Sequence, residues 1–179
     1  MDFRPAAKRS LEELFYIRAP RLAAALTSFA MRMPAGRVRC FALKRLWRAA
    51  TGALNRQDIE SLRIALHPDI EIRPMQSAGS PAPLDLDPVY RGPDGFVRFL
   101  EAWFAPWEDH RLEPVELIDL GGEEMLTLNY VAGQGRGSGV EMRQAEAEHW
   151  IFRRGRPVSF HQYWGWDEAL AAVGISATR

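Results

Sequence analysis

The sequence lacks several features that would assign a protein to a class directly. Cys40 is its only cysteine in 179 residues, so neither an internal disulfide nor a thiolate metal cluster can form. The formal net charge is zero, with 23 basic and 23 acidic residues, so no overall field attracts a nucleic-acid backbone. We therefore expect no nucleic-acid partner and no cofactor, and we expect a cytoplasmic location.

Long apolar runs and phosphate-binding motifs are also missing. The longest apolar run near the start, Leu22 to Met31 (LAAALTSFAM), is about half the length of a membrane-spanning helix. The glycine-rich run "GQGRGSG" lies between two predicted strands, whereas a phosphate-binding loop joins a strand to a helix. We expect no membrane span, and we interpret the glycine-rich run as a hairpin turn.

The composition is typical of one folded domain with an extension. Apolar residues make up 47% of the chain and charged residues 26%, which is the balance of a globular protein. Residues 1–36 are basic and end in the helix-breaking run "RMPAG", and regular elements follow. We predict an N-terminal helical extension over residues 1–36 and a main domain over residues 37–179.

The extension carries a helix-start signal and an apolar stripe. Ser10, followed three residues later by Glu13, forms a capping-box pattern that predicts a helix ending near Pro20. In a second helix, Leu22, Leu26, Phe29 and Ala30 fall on one face. Such a stripe suits packing on the main domain, a dimer contact or a lipid surface, and we favour the first two.

The main domain shows helices first and strands later. Periodicity and breakers predict a helix at "RCFALKRLWRAATGAL" (residues 39–54), with Phe41 among its core residues, a short helix Ile59–Leu66, a strand at "IEIRPM", and a helix from Pro93. Four strands follow, and a final helix spans Asp167–Val173. The run Gln76–Asp87 is a long loop, either a lid or a tolerated insertion. This order predicts an α+β fold with one curved sheet around the helices.

The last two strands, "AEAEHWIF" and "PVSFHQYW", place polar groups among large aromatic residues. Side chains alternate along a strand, so Glu146, Glu148 and Trp150 share one face. If residues 154–156 form the turn, Glu148 lies opposite Gln162. The face that carries the aromatic residues should be buried, and Glu148 is then buried with it.

A buried Glu148 has two interpretations. Burial raises the pKa of a carboxyl group, and a neighbouring Glu146 raises it further, which is how a general acid that works near neutral pH arises. Alternatively, Glu148 only accepts hydrogen bonds, from Gln162 and a helix residue such as Arg48. We expect Glu146 itself to lie at a solvated rim.

Three strings, "GALNRQDIESLRIALHPDIEIRP", "YRGPDGFVRFLEAW" and "FRRGRPVSFHQYWGWDEALAAVG", resemble one family. They are similar to the nuclear transport factor 2-like superfamily, in the branch of SnoaL-like polyketide cyclases and ketosteroid isomerases. The resemblance implies a cone-shaped α+β barrel, a curved mixed sheet around three helices, and a pocket for a small apolar ligand. It also implies a homodimer formed through the outer face of the sheet.

The same resemblance assigns expectations to individual positions. Glu148 falls where the isomerases carry a protonated acid and the cyclases an aspartate, so it is the candidate catalytic residue. Pro74 falls at the isomerase base, and Ala50 and Leu100 fall where tyrosines can stand. Without a base at Pro74, we expect no appreciable steroid isomerase activity.

The remaining candidates are walls of the pocket and surface histidines. Phe160, Gln162 and Trp164 point inward by analogy with the isomerases, and Trp150, Trp47, Trp103 and Glu146 complete the predicted ligand-binding set. His149 and His161, paired on the outer face, lack a third metal ligand, so we expect packing there and no metal site. His67 and His110 are interpreted as histidines of surface turns.

Two functions remain open from the sequence. One is a cyclase-type or isomerase-type enzyme that acts on an apolar, carbonyl-bearing molecule, with Glu148 as general acid or base. The other is a non-catalytic binding or accessory protein that uses the same pocket.

Overall fold

The computed structural model describes residues 8–75 and 86–176 of the chain. Its elements, in chain order, are α1 (Leu11–Arg18), α2 (Pro20–Arg32), α3 (Arg37–Asn55), α4 (Ile59–Ala65), β1 (Glu71–Arg73), β2 (Tyr90–Arg91), α5 (Gly92–Phe104), β3 (Trp107–Gly121), β4 (Glu124–Gly135), β5 (Glu141–Arg153), β6 (Arg156–Trp164) and α6 (Trp166–Ala172). Ten residues of the predicted loop Gln76–Asp87, residues 76–85, lie outside the described part. No described helix is long and apolar enough to cross a membrane.

One mixed sheet organises the molecule. Its strand order is β2-β1-β6-β5-β4-β3, and β1 pairs with β6 in parallel while the other pairs are antiparallel. The sheet is not closed, because β2 and β3 form its edges. Helices α3 and α5 pack on one face of it, which we call the inner face. The predicted α+β class, with a curved sheet around helices, is confirmed.

The core on the inner face has two parts. Phe99 and Trp103 of α5 pack against Phe160 of β6 in the larger cluster. Leu43 and Trp47 of α3 pack against Met125 of β4, and Met31 of α2 joins this second cluster. The amphipathic patterns of α3 and α5 place their large side chains against the sheet. Phe41 is an exception to the prediction, because it is 62% exposed.

Helix α6 covers part of the opposite, outer face. Leu126, Leu128 and Tyr163 of the sheet pack against Ala169 of α6. Strand alternation explains this second core, because residues that flank the inward ones point outward. Helix α6 therefore covers part of the sheet face through which the resemblance implies that a homodimer forms.

The N-terminal helices form as predicted but pack differently. In α1, the Ser10 hydroxyl accepts a hydrogen bond from the Glu13 backbone N–H at 3.2 Å, and the Glu13 carboxylate accepts one from the Ser10 N–H at 3.1 Å. Helix α2 packs on the domain through small residues, Ala23 and Ala24, which are buried. Its predicted stripe faces away from the domain, because Leu22, Leu26 and Phe29 are 54%, 54% and 68% exposed. The expectation that this stripe packs on the main domain is wrong.

The prediction for His110 is also wrong. His110 lies in β3 and is 7% exposed, and the Trp103 indole N–H donates a hydrogen bond to its Nε2 at 3.0 Å. Burial lowers the pKa of His110 to about 4, so it is neutral at physiological pH. The sequence around it, "EDHRLEP", is polar and resembled a turn, yet it is part of a long strand.

Candidate functional site

The β5–β6 hairpin has the predicted register. The turn is one residue shorter than the predicted 154–156: Arg154 and Gly155 form it, with φ of 53° and 72°, a left-handed pair that a two-residue hairpin turn requires. A register shift between Ile151 and Phe152 restores the predicted pairing. Glu148 lies opposite Gln162, and His149 lies opposite His161. The bulky and acidic residues of β5 therefore share the inner face with Phe160, Gln162 and Trp164 of β6.

A cavity of about 110 Å³ lies between this face and the helices. Helices α1, α3, α4 and α5 contribute its other walls, almost all of them apolar. Of the predicted ligand-binding residues, five line the cavity together with Glu148: Gln162, Trp150, Phe160, Trp47 and Trp103. Trp164 does not line it and packs against Trp103, with ring centroids 6.5 Å apart.

Glu148 presents a carboxyl group to the cavity. It is 6% exposed, and its Oε2 accepts hydrogen bonds from the Thr127 hydroxyl at 3.0 Å and the Trp150 indole N–H at 3.1 Å. Both donors are neutral, and the described residues that line the cavity include no arginine, lysine or histidine. Burial without a cation raises the pKa of Glu148 to about 7. The expected hydrogen bonds from Gln162 and Arg48 are absent, because Gln162 bonds elsewhere and Arg48 is exposed.

Glu146 lies behind the cavity wall. It is fully buried, so the expectation of a solvated rim position is wrong. Its Oε2 accepts from the Asn129 side-chain amide at 3.0 Å, and its Oε1 accepts from the Gln162 amide at 3.1 Å. Burial, and then the charge of nearby Glu148, raise the pKa of Glu146 well above its ordinary value. The sequence predicts that Glu146 faces solvent, but strand β4 lies beside it and covers it.

The two carboxyl groups belong to one polar network. The Asn129 amide donates to Glu146 and, at 3.4 Å, to the Thr127 hydroxyl, which donates to Glu148. Asn129 Oδ1 and Gln162 Oε1 are buried without a hydrogen-bond partner. Rotating either amide by half a turn offers an oxygen to a protonated Glu146. The arrangement therefore suits a neutral Glu146, in agreement with its raised pKa.

Two further polar groups are available in the cavity wall. Trp47 and Thr51 of α3 both line the cavity, and Trp47 Nε1 and Thr51 Oγ1 are buried without a partner. An indole N–H donates, and a hydroxyl donates or accepts. Together with Glu148 and Gln162, they give an otherwise apolar cavity four polar groups with which to orient a ligand.

Sequence reasoning missed Thr127 and Asn129, which hold the two carboxyl groups. A signal was present in "MLTLNYV" of β4, where Thr127 and Asn129 alternate with outward-facing leucines. Two polar residues on the buried face of a central strand require partners. Strand β4 pairs Thr127 with Glu148 and Asn129 with Glu146, which supplies those partners.

The sequence matches a known domain family over residues 47–162, the SnoaL-like domain. The chain belongs to this family. The matched region includes Trp47 at one wall of the cavity and Gln162 at the other. A comparison of this SnoaL-like protein with curated proteins gives no significant match.

Solved structures share the fold of this SnoaL-like protein. A nuclear transport factor 2-like protein of unknown function from Burkholderia pseudomallei is 22% identical with a TM-score of 0.60, covering 73% of this chain and 96% of that one. TerC, co-crystallised with polyporic acid, is 19% identical with a TM-score of 0.55, over 87% of this chain and 98% of that one. A protein described as a SnoaL-like polyketide cyclase from Shewanella denitrificans is 12% identical with a TM-score of 0.54, over 67% and 88%. These likenesses establish the nuclear transport factor 2-like fold.

The two outer-face histidines of this SnoaL-like protein contact other side chains of the protein. His149 Nε2 lies 3.1 Å from Glu124 Oε2, and His161 Nδ1 lies 3.0 Å from the Tyr163 hydroxyl. Within residues 8–75 and 86–176, no group of three or more histidine, cysteine, aspartate or glutamate side chains is placed to hold a metal ion.

Proposed function

We propose that this SnoaL-like protein binds a small, mostly apolar, carbonyl-bearing molecule and moves a proton with Glu148. One observation carries the proposal: Glu148 borders an apolar cavity, has only neutral hydrogen-bond donors, and has a pKa raised to about 7. A carboxyl group that titrates near the working pH serves equally as general acid and general base.

The proposed step is an enolisation or its reverse. Ionised Glu148 accepts a proton from the carbon next to the carbonyl, and the electron pair of the broken C–H bond forms the enolate. Neutral donors of the wall, the Trp47 indole N–H and the Thr51 hydroxyl, stabilise the enolate oxygen. Protonated Glu148 then returns the proton to the same or a conjugated carbon, so the step consumes no reductant or oxidant.

The size of the cavity limits the ligand. A cavity of about 150 Å³ in a protein core holds one benzene ring, and this one is about 110 Å³. A single small ring fits with little side-chain movement, and a polycyclic molecule requires the walls to move apart. TerC, which shares the fold, was crystallised with polyporic acid, and this supports a small organic ligand for the present chain.

A non-catalytic binding protein is the second candidate. Ala50 and Leu100 both line the cavity and offer no hydrogen-bond donor where the resemblance places tyrosines. Pro74, at the expected position of the isomerase base, carries no titratable group. The prediction of no appreciable steroid isomerase activity follows from these positions, and C4 proton exchange in a 3-oxo steroid at enzymatic rates would overturn it.

Substituting Glu148→Gln separates the two candidates. Small ring ketones such as cyclohex-2-enone are first tested for binding by a thermal shift, and deuterium incorporation next to the carbonyl is then followed by NMR in heavy water. We expect the wild-type protein to catalyse the exchange and Glu148→Gln to slow it by at least about 100-fold. The dissociation constant should change by less than about threefold, because an amide keeps the shape of the side chain.

Glu141→Gln is the matched control, since Glu141 lies exposed in the same strand. Exchange in this variant should equal that of the wild type. If a ketone binds but the wild-type protein accelerates no exchange, the protein is a binding protein under these conditions. If Glu148→Gln exchanges as fast as the wild type, Glu148 is not the proton carrier.

Three further expectations remain proposals. A homodimer through the outer sheet face would use the part that α6 leaves open, and sedimentation of a species of twice 20.3 kDa would support it. A cytoplasmic location rests on the lone Cys40. The division into an extension, residues 1–36, and a main domain, residues 37–179, can be tested by expressing the second part alone.

A further inference from the structure

The longest stretch of the chain without an acidic residue forms its N-terminal helices. From Leu14 to Gln57 there are nine arginine or lysine residues and no aspartate or glutamate, although the whole chain has a net charge of zero. Helices α2 and α3 lie entirely within this stretch. This stretch, which forms the N-terminal helices, therefore carries an excess of positive charge that acidic residues elsewhere in the chain balance.

A groove collects part of this charge. Its volume is about 520 Å³, and it lies between α2 and the β5–β6 turn. Four arginines line it, Arg21 and Arg32 from α2 and Arg154 and Arg156 from the hairpin. The Arg156 guanidinium donates to the backbone oxygens of Ile64 and Leu66, and so it has protein partners. Within residues 8–75 and 86–176, no ion pair involves the other three.

Exposed large apolar side chains lie on the same helix as two of these arginines. Leu22, Leu26 and Phe29 of α2 are more than half exposed, and Phe29 itself lines the groove. They follow one another at helical spacing, one ridge beside the face that carries Arg21 and Arg32. Exposed leucine and phenylalanine side chains in such a row mark an interaction surface.

We propose that α2 and the β5–β6 turn bind the surface of an anionic lipid membrane. The arginines Arg21, Arg32 and Arg154 contact lipid phosphates, and the ridge of Leu22, Leu26 and Phe29 enters the boundary between headgroups and acyl chains. An amphipathic helix with arginines beside large apolar side chains binds in the plane of such an interface. No helix within the described residues is long and apolar enough to span the bilayer.

The arginines and the apolar ridge together favour an anionic membrane over other binding partners. A soluble phosphate compound or a nucleic acid is bound by the arginines alone and leaves three large apolar side chains in water. A second copy of the chain must bring acidic groups to the arginines as well as cover the ridge. An anionic membrane satisfies both features with one surface.

Vesicle sedimentation tests the proposal with the full-length protein. The vesicles are phosphatidylcholine alone or phosphatidylcholine with 30% phosphatidylserine, a composition chosen for the experiment, at about 0.1 M salt. We expect binding to the anionic vesicles only. The triple variant Arg21→Gln, Arg32→Gln, Arg154→Gln and the triple variant Leu22→Gln, Leu26→Gln, Phe29→Gln should each bind at least about tenfold more weakly.

Control variants remove charge or apolar groups elsewhere on the molecule. Arg91→Gln, Arg98→Gln, Arg111→Gln removes the same total charge from other elements, and Val115→Gln, Val140→Gln removes exposed apolar groups from β3 and the β4–β5 turn. Both controls should bind like the wild type. The substituted side chains are exposed except that of Arg111, which is half-buried, and circular dichroism confirms that each variant is folded.

Three outcomes would overturn the proposal. One is that the wild-type protein does not sediment with anionic vesicles. Another is that it binds a single-stranded oligonucleotide as strongly as vesicles, with losses in the arginine variant and none in the apolar variant, which indicates a nucleic-acid surface. The third is that the apolar variant dissociates a wild-type dimer in ultracentrifugation while vesicle binding is absent, which indicates that a second copy covers the ridge.

Discussion

At the scale of residues, the unusual feature is a pair of buried glutamates without a cation. Glu146 and Glu148 lie two residues apart in β5, and the donors that the described residues offer them are amides, a hydroxyl and an indole. A buried carboxylate of this kind is costly, so the folded state favours the protonated forms. Folding therefore raises both pKa values, and the neutral pair contributes stability that depends on pH.

The sign of that dependence gives a prediction for Glu146→Gln. Folding raises the pKa of the carboxyl groups, so their contribution to the free energy of unfolding is complete below the ordinary pKa near 4.5. It is lost as the pH rises through the pKa in the folded protein, which is about 7 for Glu148. The free energy of unfolding of the wild type should fall between pH 5 and pH 8. In Glu146→Gln the fall should be smaller, and the variant should be more stable than the wild type at pH 8, because an amide does not ionise.

Urea unfolding at pH 5, 6, 7 and 8 measures this effect. Glu141→Gln, an exposed change in the same strand, should keep the wild-type slope. If Glu146→Gln is less stable than the wild type at pH 8, Glu146 is ionised in the folded protein and its two amides stabilise the charge.

At the scale of elements, the β5–β6 turn presses against α2. Gly155, with φ of 72°, is so close to α2 that a Cβ atom there would overlap the backbone carbonyl of Ala24. Ala23 and Ala24 of α2 are small enough to permit this approach. The contact fixes α2 beside the hairpin that carries Glu148, and it forms one wall of the arginine groove.

Gly155→Ala should therefore displace α2. Alanine at positive φ costs about 1 kcal/mol, and the overlap with a helix backbone adds to this cost. Gly121→Ala is the matched control, because Gly121 has φ of 84° and nothing within 4 Å of the added Cβ. We expect Gly155→Ala to lose at least about 2 kcal/mol more than Gly121→Ala in urea unfolding.

Hydrogen exchange locates the effect. Amides of α2 should exchange faster in Gly155→Ala than in the wild type or in Gly121→Ala. Equal stability of the two variants would show that α2 can move away from residue 155 without loss of stability, and that the contact with Gly155 does not hold α2 in place.

At the scale of the whole molecule, charge is distributed unevenly. Residues 14–57 carry a nine-unit positive excess, and the remainder of the chain carries an equal negative excess. Some of the positive residues are paired across elements: Arg39 of α3 is buried and bonds to Asp119 of β3 at 2.6 and 2.7 Å. Those without an ion pair in the described part of the chain lie on α1, α2 and α3, so the molecule has a strong electrical asymmetry despite its zero net charge.

A cation-exchange column should detect this asymmetry without lipid. The pI is about 6.9, so a uniform charge distribution predicts no retention at pH 7.5. We expect retention, with elution by about 0.3 M salt as screening shortens the range of the field. The variant Arg21→Gln, Arg32→Gln, Arg154→Gln should elute earlier than Arg91→Gln, Arg98→Gln, Arg111→Gln, although both have the same net charge. Identical elution of the two variants would show that the position of the arginines has no influence on retention.

The sequence by itself determined the late hairpin. The turn at Arg154 and Gly155, together with a β-bulge between Ile151 and Phe152, sets the pairing of Glu148 with Gln162, and alternation then decides which side chains share a face, because the period of a strand is two. The capping residues Ser10 and Asp58 likewise determined where α1 and α4 begin. These features depend on neighbours within a few residues, and so they can be predicted from the chain alone.

Only the tertiary structure decided what surrounds those side chains. Glu146 is buried rather than solvated because β4, about 17 positions away in the chain, brings Asn129 against it. Helix α2 buries its alanines rather than its leucines because close approach to Gly155 requires small side chains. In both cases the deciding contact comes from a segment remote in sequence, and neither residue type nor periodicity specifies which segment arrives there.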